Sequence, residues 1–449
     1  MSIASAGTAG SAVADWRPED TTFWEMTGKK VAWKTLWITT ANLTMAFAAW
    51  FLVSALVVRL PGIGFAFTSE QLFWLTAMPG LAGGTLRIIH TFLVPLYGTR
   101  RVVGWSTLSL LIPLIGWFYA VQDPTTPFWV LMVLSFLAGL GGGNFSSFMP
   151  STSLYFPKRL QGTALAIQAG IGNFGVSVVQ FVTPWIIGFA LTGATFLGGP
   201  QTFTKGGSTS MIWLQNATAV YIPFVLVFGL AALAFLKSVP VKANIREQLD
   251  IFGNKHTWLM TSLYVMTFGS FSGFAATFPL LIKQVYGSLP GAPDPLAYAF
   301  LGPLVGSLMR VIAGPLSDKF GGARVTHVAG IGLVVCSIAV TWFTAPTSMD
   351  SFPMFVGCML GLFFFSGIGN ASTFKQIPMI LPPRQAGGVI GWTAAVAAYG
   401  PFLFGMALGA AFAATGSPNI FFQAAAVFFA LNIAINWWFY ARKGAEAPC

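Results

Sequence analysis

The chain of 449 residues has little charge: Asp, Glu, Lys and Arg together make up 8% of it. Soluble proteins usually carry about 25%. So small a fraction cannot cover a water-facing surface, which excludes a soluble enzyme of this length. Carboxylates are especially scarce, at 12, and there are three His and three Cys. Cys336, Cys358 and Cys449 lie far apart with no metal-ligand spacing, so neither a disulfide framework nor a metal site is implied. No cleavable signal is visible either, because the first ~30 residues are small and polar. What the chain has in excess is apolar, with 55% hydrophobic residues and a mean hydropathy of +0.73. Its natural solvent is lipid.

Twelve apolar runs are long enough to span a bilayer: roughly 35–59, 71–97, 102–121, 127–155, 163–192, 214–236, 258–282, 296–316, 323–345, 353–381, 389–415 and 420–441. Each exceeds the roughly 17 residues that a crossing needs at about 1.5 Å per residue. The expected fold is therefore all-α and integral to the membrane, with twelve transmembrane helices. The formal charge of +11 then reads as topology rather than as affinity for nucleic acid, because cytoplasmic loops collect Lys and Arg. With both termini placed in the cytoplasm, 17 of the 23 basic residues fall inside. Arg59, Lys205 and Lys283 fall outside, and Arg87, Arg310 and Lys375 fall within spans. Near the start, Asp15-Trp16-Arg17-Pro18-Glu19-Asp20 followed by Phe23-Trp24 reads either as an amphipathic segment on the membrane surface or as an ordinary tail.

The chain also repeats itself. Arg87-Ile88-Ile89 leads after eleven residues to Gly98, and Arg310-Val311-Ile312 leads after eleven to Gly321, at an offset of 223. Asn144-Phe145-Ser146-Ser147-Phe148 likewise pairs with Asn370-Ala371-Ser372-Thr373-Phe374. Two pseudo-symmetric six-helix halves follow, related by an axis along the membrane normal. The expected organisation is a cytoplasmic tail over 1–34, an N-terminal half over 35–236, a cytoplasmic connector over 237–257, a C-terminal half over 258–441 and a tail over 442–449.

Charge inside a span is the sharpest chemical signal. An Arg at the bilayer centre costs about 2.5–3.5 kcal/mol even on the mildest scale. Arg87 and Arg310 fall near mid-depth in equivalent helices, while all 12 carboxylates map to loops, tails or helix ends. The pair thus lacks a built-in counterion, which points to an anion site between the halves; backbone-satisfied structural arginines are the alternative. A planar fork of donors suits a small oxyanion. Phe47, Phe145, Tyr264 and Phe268 lie at compatible depths, as does Asn173. Glycines at 139–143, at Gly170, Gly172 and Gly175, and at Gly400 would let helices approach and slide. Lys375 either snorkels or lines the inner vestibule, and His90 lies one turn from Arg87.

These residues also carry a family resemblance. The run from Gly314 to Arg324, Gly-Pro-Leu-Ser-Asp-Lys-Phe-Gly-Gly-Ala-Arg, resembles the loop motif between helices 8 and 9 of the major facilitator superfamily. Its counterpart, Leu96-Tyr97-Gly98-Thr99-Arg100-Arg101, lacks the Asp. Within that superfamily the chain resembles the nitrate/nitrite porters of bacterial inner membranes. The resemblance is carried by Leu86-Arg87, Gly170–Ser177, Thr267–Phe271, Met309-Arg310 and Gly367–Phe374. A looser match covers Ala394–Phe402 in helix 11.

The resemblance implies that Arg87 and Arg310 clamp the anion. It implies that Tyr264 and Asn173 hydrogen-bond it, that Phe145 and Phe268 sandwich it, and that Phe47 lies nearby. Gating is expected at Asp318, Gly172, Gly175 and Gly400. Nitrate and nitrite are the expected substrates, in nitrate assimilation, and the bilayer is the expected surround. No cofactor, metal or nucleic acid is expected, and the protein is expected to be a monomer. The expected mechanism is nitrate/nitrite antiport by alternating access of the two halves. A nitrate–proton symporter, with His90 as the titratable group, is the alternative; an anion channel is a further one.

Overall fold

The structure, a computed structural model, describes residues 15–191, 197–205, 207–239 and 249–449. The first 14 residues lie outside that set, as does the centre of the connector with Lys242, Arg246 and Glu247. Among the described residues, eleven continuous helical stretches are long and apolar enough to cross a membrane. One of them, Ser69–Ala120, has 52 residues. That is about twice what a single crossing of a hydrocarbon core of about 30 Å requires. It breaks at Gly98, where φ is 75° and ψ is 156°, a conformation open chiefly to glycine.

Divided there, the described residues hold twelve helices of membrane-spanning length. They are α1 (Thr21–Leu56), α2 (69–97), α3 (99–120), α4 (Phe128–Ser153), α5 (Lys158–Ile186) and α6 (Asn216–Phe235), then α7 (Lys255–Tyr286), α8 (Leu296–Phe320), α9 (Gly322–Phe343), α10 (Met349–Ile380), α11 (Gln385–Thr415) and α12 (Asn419–Ala441). Gly321 separates α8 from α9 with φ 90° and ψ 137°. The two glycines that the repeat equates thus make the same kind of break in both halves.

Two features differ from the sequence expectation. Helix α1 starts at Thr21 rather than near 35, so part of the expected tail is helical. The side chain of Asp20 caps it by accepting from the backbone N–H groups of Thr22 and Phe23. Trp24, Ala32 and Leu36 then bury their side chains with Tyr155, Phe156 and Ala164. The Trp16 indole donates to the Leu154 carbonyl at 3.1 Å, so this aromatic segment is docked on the α4–α5 connection. The second feature is a hairpin between α5 and α6, with β1 (Gln201–Lys205) antiparallel to β2 (Ser208–Ile212).

The hairpin helps to close one face. Lys205 Nζ donates to the carbonyls of Ala292 and Pro293, each at 3.0 Å. Arg59 pairs with Asp294, Lys283 Nζ donates to the Val58 carbonyl at 2.5 Å, and Ser69 bonds to Gln284 at 2.9 Å. All three basic residues expected outside therefore tie one half to the other. Deeper cross-half bonds run from Ser177 to the Phe300 carbonyl, from Gln180 to the Ala275 carbonyl and between Thr85 and Tyr399. Among the described residues, no hydrogen bond or ion pair joins the halves toward the opposite face. Among the described residues, the polar ties between the halves thus gather toward one end.

Candidate functional site

Local helix irregularities shape the centre of the molecule. Helix α4 carries Gly139, Gly141, Gly142 and Gly143 where it meets α1 and α2. A Cβ at Gly141 would lie 2.1 Å from the Ala46 carbonyl oxygen, and one at Gly142 would lie 2.8 Å from the Gly83 Cα. Only glycine permits backbones to approach this closely. In α7, residues Val265–Gly269 form a π-helical turn, a device that re-aims side chains and is frequent at functional sites. It places Phe268 one ring away from Tyr264, stacked at 5.4 Å with an interplanar angle of 6°.

The two arginines meet around that ring. Arg87, on α2, is fully buried. Its Nε donates to the Gly142 carbonyl at 2.9 Å and its Nη1 to the Ala394 carbonyl at 2.7 Å. The first partner lies in its own half and the second on α11 of the other. Its guanidinium lies 4.5 Å from the Phe145 ring, 5.2 Å from Phe268 and 5.3 Å from Trp50. Arg310, on α8, is also buried. Its Nη2 approaches the Tyr264 hydroxyl at 3.5 Å, and its guanidinium lies 5.8 Å from Phe268 and 5.5 Å from Phe374. Phe268 is thus shared by both cations. Each contact of this kind is worth about 0.5–2 kcal/mol, well short of replacing a counterion.

Neither arginine forms an ion pair among the described residues, and each keeps a terminal nitrogen without a partner: Nη2 of Arg87 and Nη1 of Arg310. Backbone carbonyls therefore satisfy Arg87 only in part. Two cations held together in low dielectric repel each other and need a negative partner. Their free nitrogens are buried charged donors with aromatic rings beside each guanidinium, an arrangement suited to a small planar oxyanion.

The other expected site residues divide. Phe145 faces Phe268 at 6.4 Å and 28°, and Phe47 packs on Phe145 at 6.2 Å. Asn173 is fully buried with neither amide atom partnered, and no bond joins it to either arginine. Gly172 abuts Leu43, while a Cβ at Gly175 would meet the Thr44 carbonyl oxygen at 2.2 Å, so this face of α5 packs on α1. A Cβ at Gly400 would meet the Gly269 carbonyl oxygen at 2.1 Å, bringing α11 onto α7. Asp318 lies apart from the centre and pairs with Lys375 of α10, so that tie is internal to the C-terminal half. Lys375 accordingly has a carboxylate partner. His90 is bonded through Nδ1 to Ser147 at 2.9 Å.

Sequence reasoning missed Trp50, Phe374 and the carbonyls of Gly142 and Ala394. Phe374 had a signal, since it closes the repeated Asn-x-Ser-x-Phe pattern; backbone carbonyls have none. Among the described residues, no group of His, Cys, Asp and Glu is arranged to hold a metal.

Comparison with known proteins bears on the family and the fold. The sequence profile of the Major Facilitator Superfamily matches residues 38–374. The chain is 66% identical over 441 residues to the probable nitrate/nitrite antiporter NarK2 of Thermus thermophilus, covering 98% of this chain and 99% of that protein. It is 38% identical to the nitrate/nitrite transporter NarU of Salmonella typhimurium, covering 96% of each. The solved structure of a bacterial homologue of the lysosomal transporter Spinster superposes with a TM-score of 0.66 at 15% identity, over 91% of this chain and 96% of that one. That last likeness speaks for the fold alone. With a profile spanning most of the chain and porters of this identity matching nearly all of it, the chain belongs to the Major Facilitator Superfamily, in its nitrate/nitrite porter family, and is a multi-pass membrane transporter rather than an enzyme.

Proposed function

We propose that this protein exchanges nitrate for nitrite across a bacterial inner membrane, with both termini cytoplasmic, as a monomer serving nitrate assimilation. The observation that carries the reading is the central arginine pair. One buried cation comes from each half, each has a free Nη, and neither is paired with a carboxylate among the described residues. The names of the relatives support the choice of anion.

In this reading Arg87 and Arg310 clamp the anion from opposite halves. Tyr264 and Asn173 hydrogen-bond it. Phe145 and Phe268 flank its flat faces, with Phe47 behind Phe145. The halves rock about the bound anion, with Gly175 and Gly400 providing close backbone contacts along which helices slide, Gly172 making room for Leu43, and Asp318 holding α8 to α10. Occluding two unpaired cations is unfavourable, and a bound anion removes much of that cost. The loaded carrier therefore reorients and the empty one does not, which makes the transport an exchange. Nitrate and nitrite each carry one negative charge, so either neutralises the site equally.

Proton symport needs a titratable group in the pathway. His90, its one candidate, already has Ser147 as a partner. Proteoliposomes separate the two mechanisms. Nitrate uptake that requires nitrite or nitrate inside is expected. Uptake driven by a pH gradient into vesicles empty of either anion would overturn exchange.

A further inference from the structure

A buried amide without a hydrogen-bond partner is costly, so native structures keep few. Among the described residues, two side-chain amides are buried with both the oxygen and the nitrogen unpartnered: Asn173 and Asn370. The first belongs to the proposed anion site through family likeness. Asn370 has been assigned nothing. It lies on α10, in the other half, and it is fully buried.

Its neighbours fix which way it faces. A Cβ at Gly367 would come within 2.3 Å of the Gly306 carbonyl oxygen, so α10 and α8 touch backbone to backbone there. The two helices run in the same direction. One turn beyond the contact are Arg310 on α8 and Asn370 on α10, at the same depth. One turn further along the same face of α10 is Phe374. Its ring lies 5.5 Å from the Arg310 guanidinium and 4.7 Å from the Tyr264 ring. On the flank of that face, a Cβ at Gly369 would meet Thr267, the residue before Phe268. The face bearing Asn370 is therefore turned to the arginine-lined centre. The repeat sharpens the point. Asn144, its equivalent in the N-terminal half, gives its amide to the Ser106 carbonyl at 3.4 Å, whereas Asn370 gives its amide to nothing.

We propose that Asn370 is a further anion-contacting residue, whose Nδ2 donates to an oxygen of the bound oxyanion beside Arg310. Each half then contributes one arginine with a free Nη and one uncommitted amide. The symmetry is approximate, since the amides come from α5 and α10, which are not equivalent helices. A neutral amide at this position adds a donor without supplying the negative charge that would compete with the anion.

The proposal rests on the nitrate/nitrite reading, and the test separates the two. Nitrate and nitrite are titrated into the purified full-length carrier, and melting temperatures are read with and without nitrate. Asn370→Ala is expected to weaken nitrate binding about tenfold, the change that about 1.4 kcal/mol produces. Asn370→Asp is nearly isosteric and places a carboxylate next to Arg310. It is expected to weaken nitrate binding at least about a hundredfold while the anion-free melting temperature stays level or rises, because Arg310 gains a built-in counterion. Nitrate affinity within twofold of the parent in both variants would overturn the assignment. So would lost affinity together with a lower anion-free melting temperature in Asn370→Asp, the mark of a merely structural residue. If the parent protein binds neither nitrate nor nitrite, the substrate reading fails instead. The placement of Asn370 is then still judged by the anion-free melting temperature of Asn370→Asp.

Discussion

Arg87 and Arg310 stand at equivalent places in the repeat, yet the protein holds them differently. Arg87 is 0% exposed, donates to two backbone carbonyls and lies over three aromatic rings. Arg310 is 7% exposed, makes one long contact with a phenol and lies over two rings. The first is built into the scaffold. The second is loosely held and free to move onto an anion. Because the Ala394 carbonyl belongs to α11, the Arg87 fork also ties the halves together at mid-depth. An anion that recruits Arg87 competes with a cross-half bond, which links binding to movement.

The strongest test removes the looser cation. Truncating one partner of a buried charge contact typically costs about 2–5 kcal/mol of binding. Arg310→Ala is therefore expected to reduce nitrate affinity by roughly 30-fold to several-thousand-fold. Its anion-free melting temperature should fall little or rise, because one of two mutually repelling cations is gone. A binding titration with nitrate and a melting curve without it check both.

The comparison itself is sharpened by replacing each arginine with lysine. Lysine keeps the charge but loses the planar fork. Arg87→Lys should weaken binding and also lower the anion-free stability, by about 1–3 kcal/mol, because the Gly142 and Ala394 carbonyls lose well-placed donors in a buried site. Arg310→Lys should weaken binding while leaving that stability nearly unchanged. Equal stability losses in the two variants would erase the distinction between scaffold and mobile arginine.

Much of this pair was legible in the sequence. A charged residue at mid-span is conspicuous where only 8% of residues are charged, and the offset between Arg87 and Arg310 exposes the repeat. The break at Gly98 was legible too, since both repeats place a glycine eleven residues after the arginine. How Arg87 is held was not. Its partners are main-chain oxygens of Gly142 and Ala394, and any residue type carries a carbonyl. The hairpin at 201–212 was also hidden, because its residues are neither apolar enough for a span nor in strict alternation. Asn370 was visible as part of the repeated motif and of the Gly367–Phe374 stretch that carries the resemblance. Its lack of partners is a property of packing that no spacing reports.

Tyr264 is the only hydrogen-bond partner of Arg310 among the described residues. Tyr264→Phe keeps the stacked ring on Phe268 and deletes the hydroxyl. A single hydrogen bond contributes about 0.5–1.5 kcal/mol net, so nitrate affinity is expected to fall about two- to tenfold. The same titration reads it, and no change would show that the hydroxyl neither orients Arg310 nor reaches the anion.

The smallest effect is expected at the foot of the helix that carries Arg310. Asp318 lies two turns beyond it and pairs with Lys375, with side chains 60% and 44% exposed. Pairs this exposed contribute about 0–1 kcal/mol, so Asp318→Asn should lower the melting temperature only slightly. It should leave nitrate affinity within twofold, because α8 stays fixed higher up by the backbone contact between Gly306 and Gly367. If the tie keeps α8 and α10 moving as one body, the variant exchanges more slowly at unchanged affinity, which counterflow in proteoliposomes measures. A large change in affinity would instead mean that Arg310 is positioned from the end of its helix. The looseness that distinguishes it from Arg87 would then be a property of α8 as a whole rather than of its immediate contacts.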